Sequence, residues 1–238
     1  MKLLVIETTG PMASVALIDE NRNTTERTND TLYSHLEELV PMISALLAQS
    51  DTPASSLAAI GVSRGPGSFT GIRIGLVTAK ALAQIWEKPI IEIPTLEGFA
   101  YHEAHPVGSL IVPVLDARRG QIYAGAYRKT DDYEVSEEIG ENVWNPDDFL
   151  KRLAHVQSGQ DTVRFCGDGT VAYAAMLQLY EKPYEFASGD EAFQRGRACA
   201  QLALNLFLGG RTSDAFSAEP VYLRASEAER KRKERCAT

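Results

Sequence analysis

The chain of 238 residues carries 24 Lys and Arg against 32 Asp and Glu, which gives a net charge of -8 at pH 7. This acidic balance argues against a protein that holds nucleic acid by itself. No apolar run reaches the length of a membrane span, and the first residues do not resemble a signal peptide. The three dispersed cysteines predict a cytoplasmic protein without a disulfide framework.

The first part of the chain predicts three antiparallel strands and a helix. The strands cover about 3–6 and 13–18, with a third that ends near residue 28. The first strand ends at Glu7, and a tight turn closes the hairpin between the second and the third. Apolar residues at i, i+3, i+4 and i+7 then predict a helix over 34–49, with Pro41 inside it.

A glycine-rich turn links a predicted strand over 57–62 to a predicted helix over 70–86. Such an order can direct a helix N-terminus at an anion. The spacing of Gly65, Gly67 and Gly71 fits neither the dinucleotide-binding pattern nor a P-loop, in which a lysine follows the last glycine. We therefore interpret the turn as structural, with Ser68 or Thr70 as the N-cap of the helix.

The helix over 70–86 is apolar around most of its circumference, so it must be covered on more than one side. Gly71, Gly75, Ala79 and Ala83 recur at every fourth position and form a ridge of small side chains. The ridge predicts close packing, either against the sheet or against a partner helix. A helix buried wholly inside its own domain is the alternative explanation.

The pattern of the first strands restarts midway along the chain. A predicted strand over 109–116 ends at Asp116, a turn follows at 117–120, and a returning strand covers 121–128. This arrangement echoes residues 3–18, including the acidic residue at the end of the first strand. The echo predicts two similar α/β domains with a cleft between them.

We expect the two domains at 1–106 and 107–217, with the C-terminal segment 218–238 returning to the first. Hydrophobic periodicity predicts further elements in both domains. These are strands near 89–93, 133–139 and 163–166, and helices over 95–104, after residue 146, up to about 180 and over 192–208.

Three stretches resemble the sequence motifs of one family. Residues 63–73 read SRGPGSFTGIR, 115–123 read LDARRGQIY, and 219–224 read EPVYLR. The first helix, with His35 near its start, is also similar. The family is TsaB (YeaZ-like), and the motifs follow its order across nearly the whole chain. The resemblance implies an α/β, two-domain actin-like ATPase fold (ASKHA, ribonuclease H-like).

The resemblance also implies a non-catalytic partner that activates the catalytic paralogue TsaD, together with the ATPase TsaE. The complex adds the threonylcarbamoyl group to the adenosine beside the anticodon of tRNA. We expect tRNA contact only through the complex, no membrane contact, and a homodimer when the chain is alone. The predicted partner interface lies on two helices and comprises His35, Leu39, Met42, Ile43, Leu46, Gly71, Ile74, Gly75, Thr78, Ala79, Leu82 and Ile85. For His35, an exposed residue near a helix start is the alternative.

No catalytic residue, metal site or intrinsic cofactor is predicted, and ATP, ADP and Mg²⁺ are expected only at the complex interface. Candidate phosphate contacts lie at the ends of two equivalent strands: Glu7, Thr8, Thr9, Asp116, Arg118 and Arg119. The alternative is a hairpin in which Asp116 caps its own turn and both arginines lie in solvent. The family usually has Asp where this chain has Glu7, which weakens the case for a metal or nucleotide there.

His102 and His105 are spaced to meet on one helical face, but no third ligand is adjacent, so we interpret them as surface histidines. An independent actin-like ATPase, kinase or peptidase-like enzyme is the alternative function. The sequence has no P-loop, paired-histidine metal motif or serine nucleophile motif to support it. The basic stretch 227–235 either touches a phosphate backbone or forms a solvated terminal helix.

Overall fold

The computed structural model describes residues 1–29, 35–159, 161–193 and 195–224, so the basic stretch 227–235 lies outside the described residues. The described part contains seven α-helices: α1 (His35–Gln49), α2 (Phe69–Trp86), α3 (Thr95–Ala100), α4 (Pro146–Val156), α5 (Gly169–Ala172), α6 (Ala174–Leu177) and α7 (Gly196–Leu208). None of these helices is both long and apolar enough to cross a membrane.

The first half of the chain builds a five-stranded sheet. Its strands are β1 (Lys2–Glu7), β2 (Ser14–Asp19), β3 (Thr24–Thr28), β4 (Leu57–Gly65) and β5 (Ile90–Pro94), in the order β3-β2-β1-β4-β5. The first three strands pair antiparallel, whereas β4 is parallel to β1 and β5 is parallel to β4. The central strand β1 is covered on both faces, which explains its nearly unbroken apolar run.

Alternation along β1 decides which helices cover each face of this sheet. Leu4 and Ile6 belong to a core that contains residues of α1 and α2. Leu3 and Val5 belong to a separate core that contains residues of α7. Because successive side chains of a strand point to opposite faces, α1 and α2 lie on one side of the sheet and α7 lies on the other.

The second half of the chain repeats the topology of the first. Its strands are β6 (Leu110–Asp116), β7 (Ile122–Lys129), β8 (Val135–Trp144), β9 (Val163–Cys166) and β10 (Tyr184–Phe186), in the order β8-β7-β6-β9-β10. The first three strands again pair antiparallel, while β9 is parallel to β6 and β10 is parallel to β9. The predicted internal repeat and the two-domain actin-like α/β fold are confirmed.

Helix α7 follows the second sheet in sequence but packs on the first. It contacts β1, β2, β3, β5 and α3. A further core containing Leu96, Phe99, Ile111 and Tyr127 joins α3 to β6 and β7, between the two sheets. We call the first sheet with α1, α2, α3 and α7 the first lobe, and the second sheet with α4, α5 and α6 the second lobe. The predicted domain boundaries stay a prediction.

Three helices are shorter than predicted, and one of them, α7, begins at Gly196 and not near 192. The helix expected to reach about residue 180 is broken into α5 and α6 at Tyr173. Gly169, which opens α5, lies so close to β6 that a Cβ there would be 2.8 Å from the Val114 carbonyl oxygen. Helix α3 ends at Ala100, not near 104, because the chain turns there toward β6. Tertiary packing determines where these helices end, and the local periodicity of the sequence does not predict that packing.

Candidate functional site

The first strand ends in a buried carboxylate, that of Glu7. Its Oε1 accepts hydrogen bonds from the N–H and the hydroxyl of Thr9, each at 2.5 Å. Its Oε2 accepts a hydrogen bond from Cys199 Sγ at 3.6 Å. Burial raises the pKa of the Cys199 thiol, and the nearby Glu7 charge adds to that effect. Both carboxylate oxygens of Glu7 are therefore engaged inside the chain.

The glycine turn before α2 packs against two other segments of the chain. A Cβ on Gly67 would lie 2.8 Å from the Thr9 carbonyl oxygen, and one on Gly65 would lie 2.6 Å from the Val221 carbonyl oxygen. The Ser68 N–H donates to the same Thr9 carbonyl oxygen at 2.9 Å. The turn is thus closed by its own chain and has the structural role that its spacing indicated.

The small-residue ridge of α2 packs on the end of β1. A Cβ on Gly71 would lie 1.9 Å from the Thr8 carbonyl oxygen, and one on Gly75 would lie 2.3 Å from the Thr8 hydroxyl. The Thr8 hydroxyl donates to the Gly71 carbonyl at 2.8 Å. Ser68 caps the helix, as predicted, by accepting from the Gly71 N–H at 3.2 Å. Of the two alternatives for the ridge, the structure has packing against the sheet.

The predicted interface residues differ in exposure. The buried members lie in the core beneath α1 and α2 or against the sheet: Leu39, Met42, Ile43, Leu46, Gly71, Gly75 and Ala79. Ile74, Thr78 and Leu82 are half-buried, whereas Ile85 is exposed. The side chain of His35 lies outside the described part of the structure. In this conformation only the half-buried and exposed members offer surface to a partner. The interface itself stays a prediction.

Adjacent helices α1 and α2 carry exposed apolar side chains on the outside of the first lobe. We call this surface the α1–α2 face; its exposed members are Leu36 (77%), Val40 (52%), Val77 (66%) and Ile85 (74%). Ile74 and Leu82 are partly buried beside it, against the core that both helices share. Each of the four exposed side chains has an apolar surface that a second protein could cover.

Three members of the α1–α2 face were not singled out from the sequence: Leu36, Val40 and Val77. Val77 falls on the same helical stripe as the polar residues Arg73 and Lys80, so the sequence does not mark it as a contact residue. An aliphatic residue on an otherwise polar stripe is the sequence feature that could have indicated an exposed contact residue. Periodicity alone does not predict the exposure of Val77, because it does not say which stripe faces the protein's own core.

The C-terminal segment 211–224 runs from the edge of the first sheet along α2. Ser213 pairs with Ile90 of β5 in an isolated antiparallel bridge. The Lys80 ammonium donates to the Phe216 carbonyl at 3.3 Å. Further along, the Tyr222 ring lies 4.9 Å from the Phe69 ring and its hydroxyl accepts from Arg73 Nε at 3.1 Å. The segment therefore covers part of α2 and leaves the α1–α2 face free.

The same segment then reaches the second lobe. The Val221 N–H donates to the Arg64 carbonyl at 2.8 Å, next to the glycine turn. Arg224 Nη1 donates to the carbonyls of Ala117 and Arg118, in the turn between β6 and β7. Arg224 thus connects the C-terminal segment to both neighbouring carbonyls of that turn.

The β6–β7 turn holds the remaining candidate phosphate contacts. Asp116 Oδ1 accepts from the Arg118 N–H at 2.7 Å and from the Tyr173 hydroxyl at 3.0 Å, and Oδ2 lies 3.1 Å from Arg118 Nη1. Arg118 and Arg119 have φ values of 65° and 58°, in the left-handed region. Asp116 therefore caps its own turn, and phosphate contact by these residues stays a prediction.

These residues fit a magnesium-bound nucleotide poorly. Glu7 is enclosed, and Asp116 is held by its turn and by Tyr173. Across the described residues, no group of three or more His, Cys, Asp or Glu side chains could hold a metal ion. Mg²⁺ sites need accessible carboxylate oxygens, and Glu7 does not offer them. No chemical step at this cleft is therefore assigned to a nucleotide.

The two histidines expected on the surface are buried, so that prediction was wrong. His102 is 6% exposed and His105 is 1% exposed, with their ring centroids 5.8 Å apart. Burial lowers the pKa of both, that of His105 to about 3. Glu191 Oε2 lies 3.5 Å from His105 Nδ1. The connection from α3 to β6 is covered by the segment that carries Glu191, a contact that local sequence does not reveal.

A half-buried carboxyl on β8, that of Glu141, titrates far from its ordinary range. Burial raises the pKa of Glu141 to about 7, an effect that Arg64 partly offsets and that Glu97 and Glu137 increase. Between the ordinary glutamate value of 4.5 and about 7, the folded state holds a proton that the unfolded state has lost. This carboxyl therefore makes the free energy of unfolding fall as pH rises through that window.

Glu141→Gln is expected to remove this pH dependence. The variant should be about 2 kcal/mol more stable than the wild type at about pH 8 and nearly equal to it at about pH 4.5. Urea unfolding across this pH range measures the difference. Exposed Glu181, replaced by Gln, serves as the control and should leave the pH profile unchanged. A constant difference between Glu141→Gln and wild type at all pH values would contradict the prediction.

Residues 29–230 match the family model described as TsaD: tRNA N6-adenosine threonylcarbamoyltransferase. Over 233 residues, the chain is 32% identical to the tRNA threonylcarbamoyladenosine biosynthesis protein TsaB of Bacillus subtilis, covering 97% of each chain. The chain belongs to the TsaB (YeaZ-like) family. The TsaB protein of Escherichia coli is 30% identical to this TsaB-family chain, covering 97% of it and 98% of its own length.

Solved structures share the fold of this TsaB-family chain. YeaZ from Pseudomonas aeruginosa has a TM-score of 0.76 at 25% identity, covering 93% of this chain and 99% of its own.

A shorter sequence match is to a transferase. A tRNA N6-adenosine threonylcarbamoyltransferase of Novosphingobium aromaticivorans is 43% identical over 82 residues, which is 34% of this chain and 23% of that one. The TsaB relatives match along nearly their whole length, whereas this transferase shares a shorter stretch.

Proposed function

We propose that this TsaB-family chain acts in tRNA threonylcarbamoyladenosine biosynthesis as a non-catalytic partner that activates TsaD. Relatives named for this pathway match nearly the whole chain, and a TsaD-type transferase matches part of it. Contact with tRNA would be made through the complex. TsaE would join the assembly, and two copies of the chain would pair when TsaD is absent.

The observation that carries the proposal is the α1–α2 face. Leu36, Val40, Val77 and Ile85 project from two adjacent helices and are each more than half exposed. Burying an aliphatic side chain contributes about 1.5–3 kcal/mol, so two neighbouring helices with four such residues favour association. A matching helix pair from TsaD would complete a four-helix interface with this face.

The cleft between the lobes supports a non-catalytic role. Glu7 is enclosed by Thr9 and Cys199, and Asp116 is used to cap its turn. Catalytic groups need a geometry in which they reach a substrate atom. Both carboxylate oxygens of Glu7 and Oδ1 of Asp116 are engaged by groups of the chain itself, which favours a structural role for the two residues.

The test replaces exposed members of the α1–α2 face, since a charge at the buried Gly75 or Ala79 would disrupt the protein's own core. Val77→Asp combined with Ile85→Asp is expected to weaken binding to TsaD by at least about 100-fold, because a carboxylate would be buried in an apolar interface. Light scattering of mixtures with TsaD, and reconstituted tRNA modification, measure the loss.

Val171→Asp is the matched control, because Val171 is 80% exposed on α5 of the second lobe. This control should bind TsaD and support modification like the wild type, and all variants should unfold at similar urea concentrations. Unchanged binding and modification by the double variant would refute docking through this face. Robust ATP hydrolysis or peptide cleavage by the isolated chain, lost in Asp116→Ala, would refute the non-catalytic role.

A further inference from the structure

A cavity of about 190 Å³ lies on the α7 side of the first sheet, away from the α1–α2 face. The turn between β2 and β3, helix α7, and the residues after α3 form its first-lobe wall. The end of β7 and the start of the β7–β8 connection form its second-lobe wall. The cavity therefore takes side chains from both lobes, and no part of the proposed function uses it.

The second-lobe wall contains a buried lysine, Lys129, the last residue of β7. Lys129 is only 2% exposed, and its ammonium donates to the His102 carbonyl at 3.1 Å. It forms no ion pair with any carboxylate of the described residues. An ammonium has three N–H donors, and burying one without a direct counter-charge is unfavourable. Burial accordingly lowers the pKa of Lys129.

The first-lobe wall contains a second cation without a carboxylate partner, Arg22. Its guanidinium lies 4.2 Å over the Tyr133 ring and donates to the side-chain oxygens of Gln201 and Asn205, at 3.2 and 2.7 Å. It too forms no ion pair within the described part of the chain. Neutral groups thus fix the guanidinium in place and leave its charge uncompensated.

The other charged groups of the cavity do not neutralise this pair. Arg197 and Glu103 also line it, and these two side chains pair with each other at 2.7 Å. Asp132 is an exposed residue at the rim and forms no direct ion pair with Lys129 or Arg22 among the described residues, but its carboxylate repels an anion that enters the cavity. Lys129 and Arg22 are therefore two fixed cations of the cavity with no carboxylate in direct ion-pair contact, although Asp132, Glu103 and Asp131 act on Lys129 from further away.

We propose that this cavity binds a small oxyanion, a phosphate or carboxylate group held between Lys129 and Arg22. A cavity of about 190 Å³ has room for inorganic phosphate or a small carboxylate. Because Arg22 and Lys129 belong to different lobes, the bound anion links the lobes and stabilises their arrangement.

The test is thermal unfolding of the full chain in sodium phosphate, sodium acetate and sodium chloride at equal ionic strength. Saturable stabilisation by phosphate or acetate over chloride is expected, and the stronger of the two identifies the anion class. ³¹P line broadening on mixing wild-type protein with phosphate gives a direct measure of phosphate binding. Equal unfolding temperatures in all three salts, without line broadening, would overturn the proposal.

Two variants with opposite effects locate the site. Lys129→Met should reduce the anion affinity at least tenfold, whereas Asp132→Asn should increase it, because it removes a repelling carboxylate from the rim. Lys151→Met, at an exposed lysine of α4 outside the cavity, is the matched control and should keep the wild-type response. If Lys129→Met fails to fold, Asp132→Asn still decides. Anion stabilisation that is unchanged in Asp132→Asn, or retained by a folded Lys129→Met, would overturn the assignment.

Discussion

Gly71→Ala is expected to lower the free energy of unfolding by about 3 kcal/mol, because the added methyl group has no space. Its Cβ would lie 1.9 Å from the Thr8 carbonyl oxygen, which is backbone and not the end of a flexible side chain. The Thr8 hydroxyl also holds the Gly71 carbonyl at 2.8 Å, so α2 and β1 must separate to admit the methyl group. Urea unfolding followed by circular dichroism measures the loss.

Gly10→Ala is the matched control for this prediction. A Cβ on Gly10 would meet no atom within 4 Å, and Gly10 does not have a positive φ. The control should change the free energy of unfolding by less than about 0.5 kcal/mol, as an ordinary surface substitution does. Equal stability of the two variants would mean that the contact between α2 and β1 is looser than described here.

Glu191→Ala is expected to destabilise the protein by about 3 kcal/mol, because it removes a buried ion-pair partner. Both carboxylate oxygens of Glu191 accept from Arg164 Nη2, at 2.8 and 3.0 Å, and the two side chains are 10% and 15% exposed. The substitution leaves Arg164 in a nearly buried position with one of its three charge-assisted contacts, the one to Glu185. The measurement is again the free energy of unfolding in urea.

A second carboxylate on the same arginine provides the control. Glu185 Oε1 lies 2.7 Å from Arg164 Nη1, but its side chain is 48% exposed. Water screens that pair, so Glu185→Ala should cost less than about 1 kcal/mol. If the two substitutions lower the free energy of unfolding equally, burial does not explain the contribution of the Arg164–Glu191 pair to stability.

Much of the fold could be predicted from the sequence, because its signals are local. Consecutive residues predict the apolar run of β1 and the hairpin after it. They also predict β6, which ends in an acidic residue, Asp116. The cap at Ser68 follows from its position before an apolar helix. The structure shows in addition that the strands of both sheets pair in the same order. The central strands, β1 and β6, end in Glu7 and Asp116, as the internal repeat suggested.

The surfaces could be predicted only in part, because burial depends on distant segments. The ridge at Gly71 and Gly75 indicated close packing, but only the position of Thr8 shows that β1 is the partner. His105 lies in the connection after α3 and Lys129 is the last residue of β7, and at both places a polar side chain is usually exposed. Both are buried because the two lobes meet around them, and that contact joins residues far apart in sequence.

The hydrogen bonds of Arg224 have a mechanical consequence. The chain passes between the lobes twice, after α3 and before α7, and two pivots define a single axis of rotation. Arg224 adds an attachment at the β6–β7 turn, apart from the core that α3 forms with β6 and β7. Because β6 has seven residues, that attachment lies about 20 Å from the first crossing and acts with a long lever arm. Rotation of the lobes about the two crossings would therefore break the hydrogen bonds of Arg224, so the C-terminal segment resists that motion.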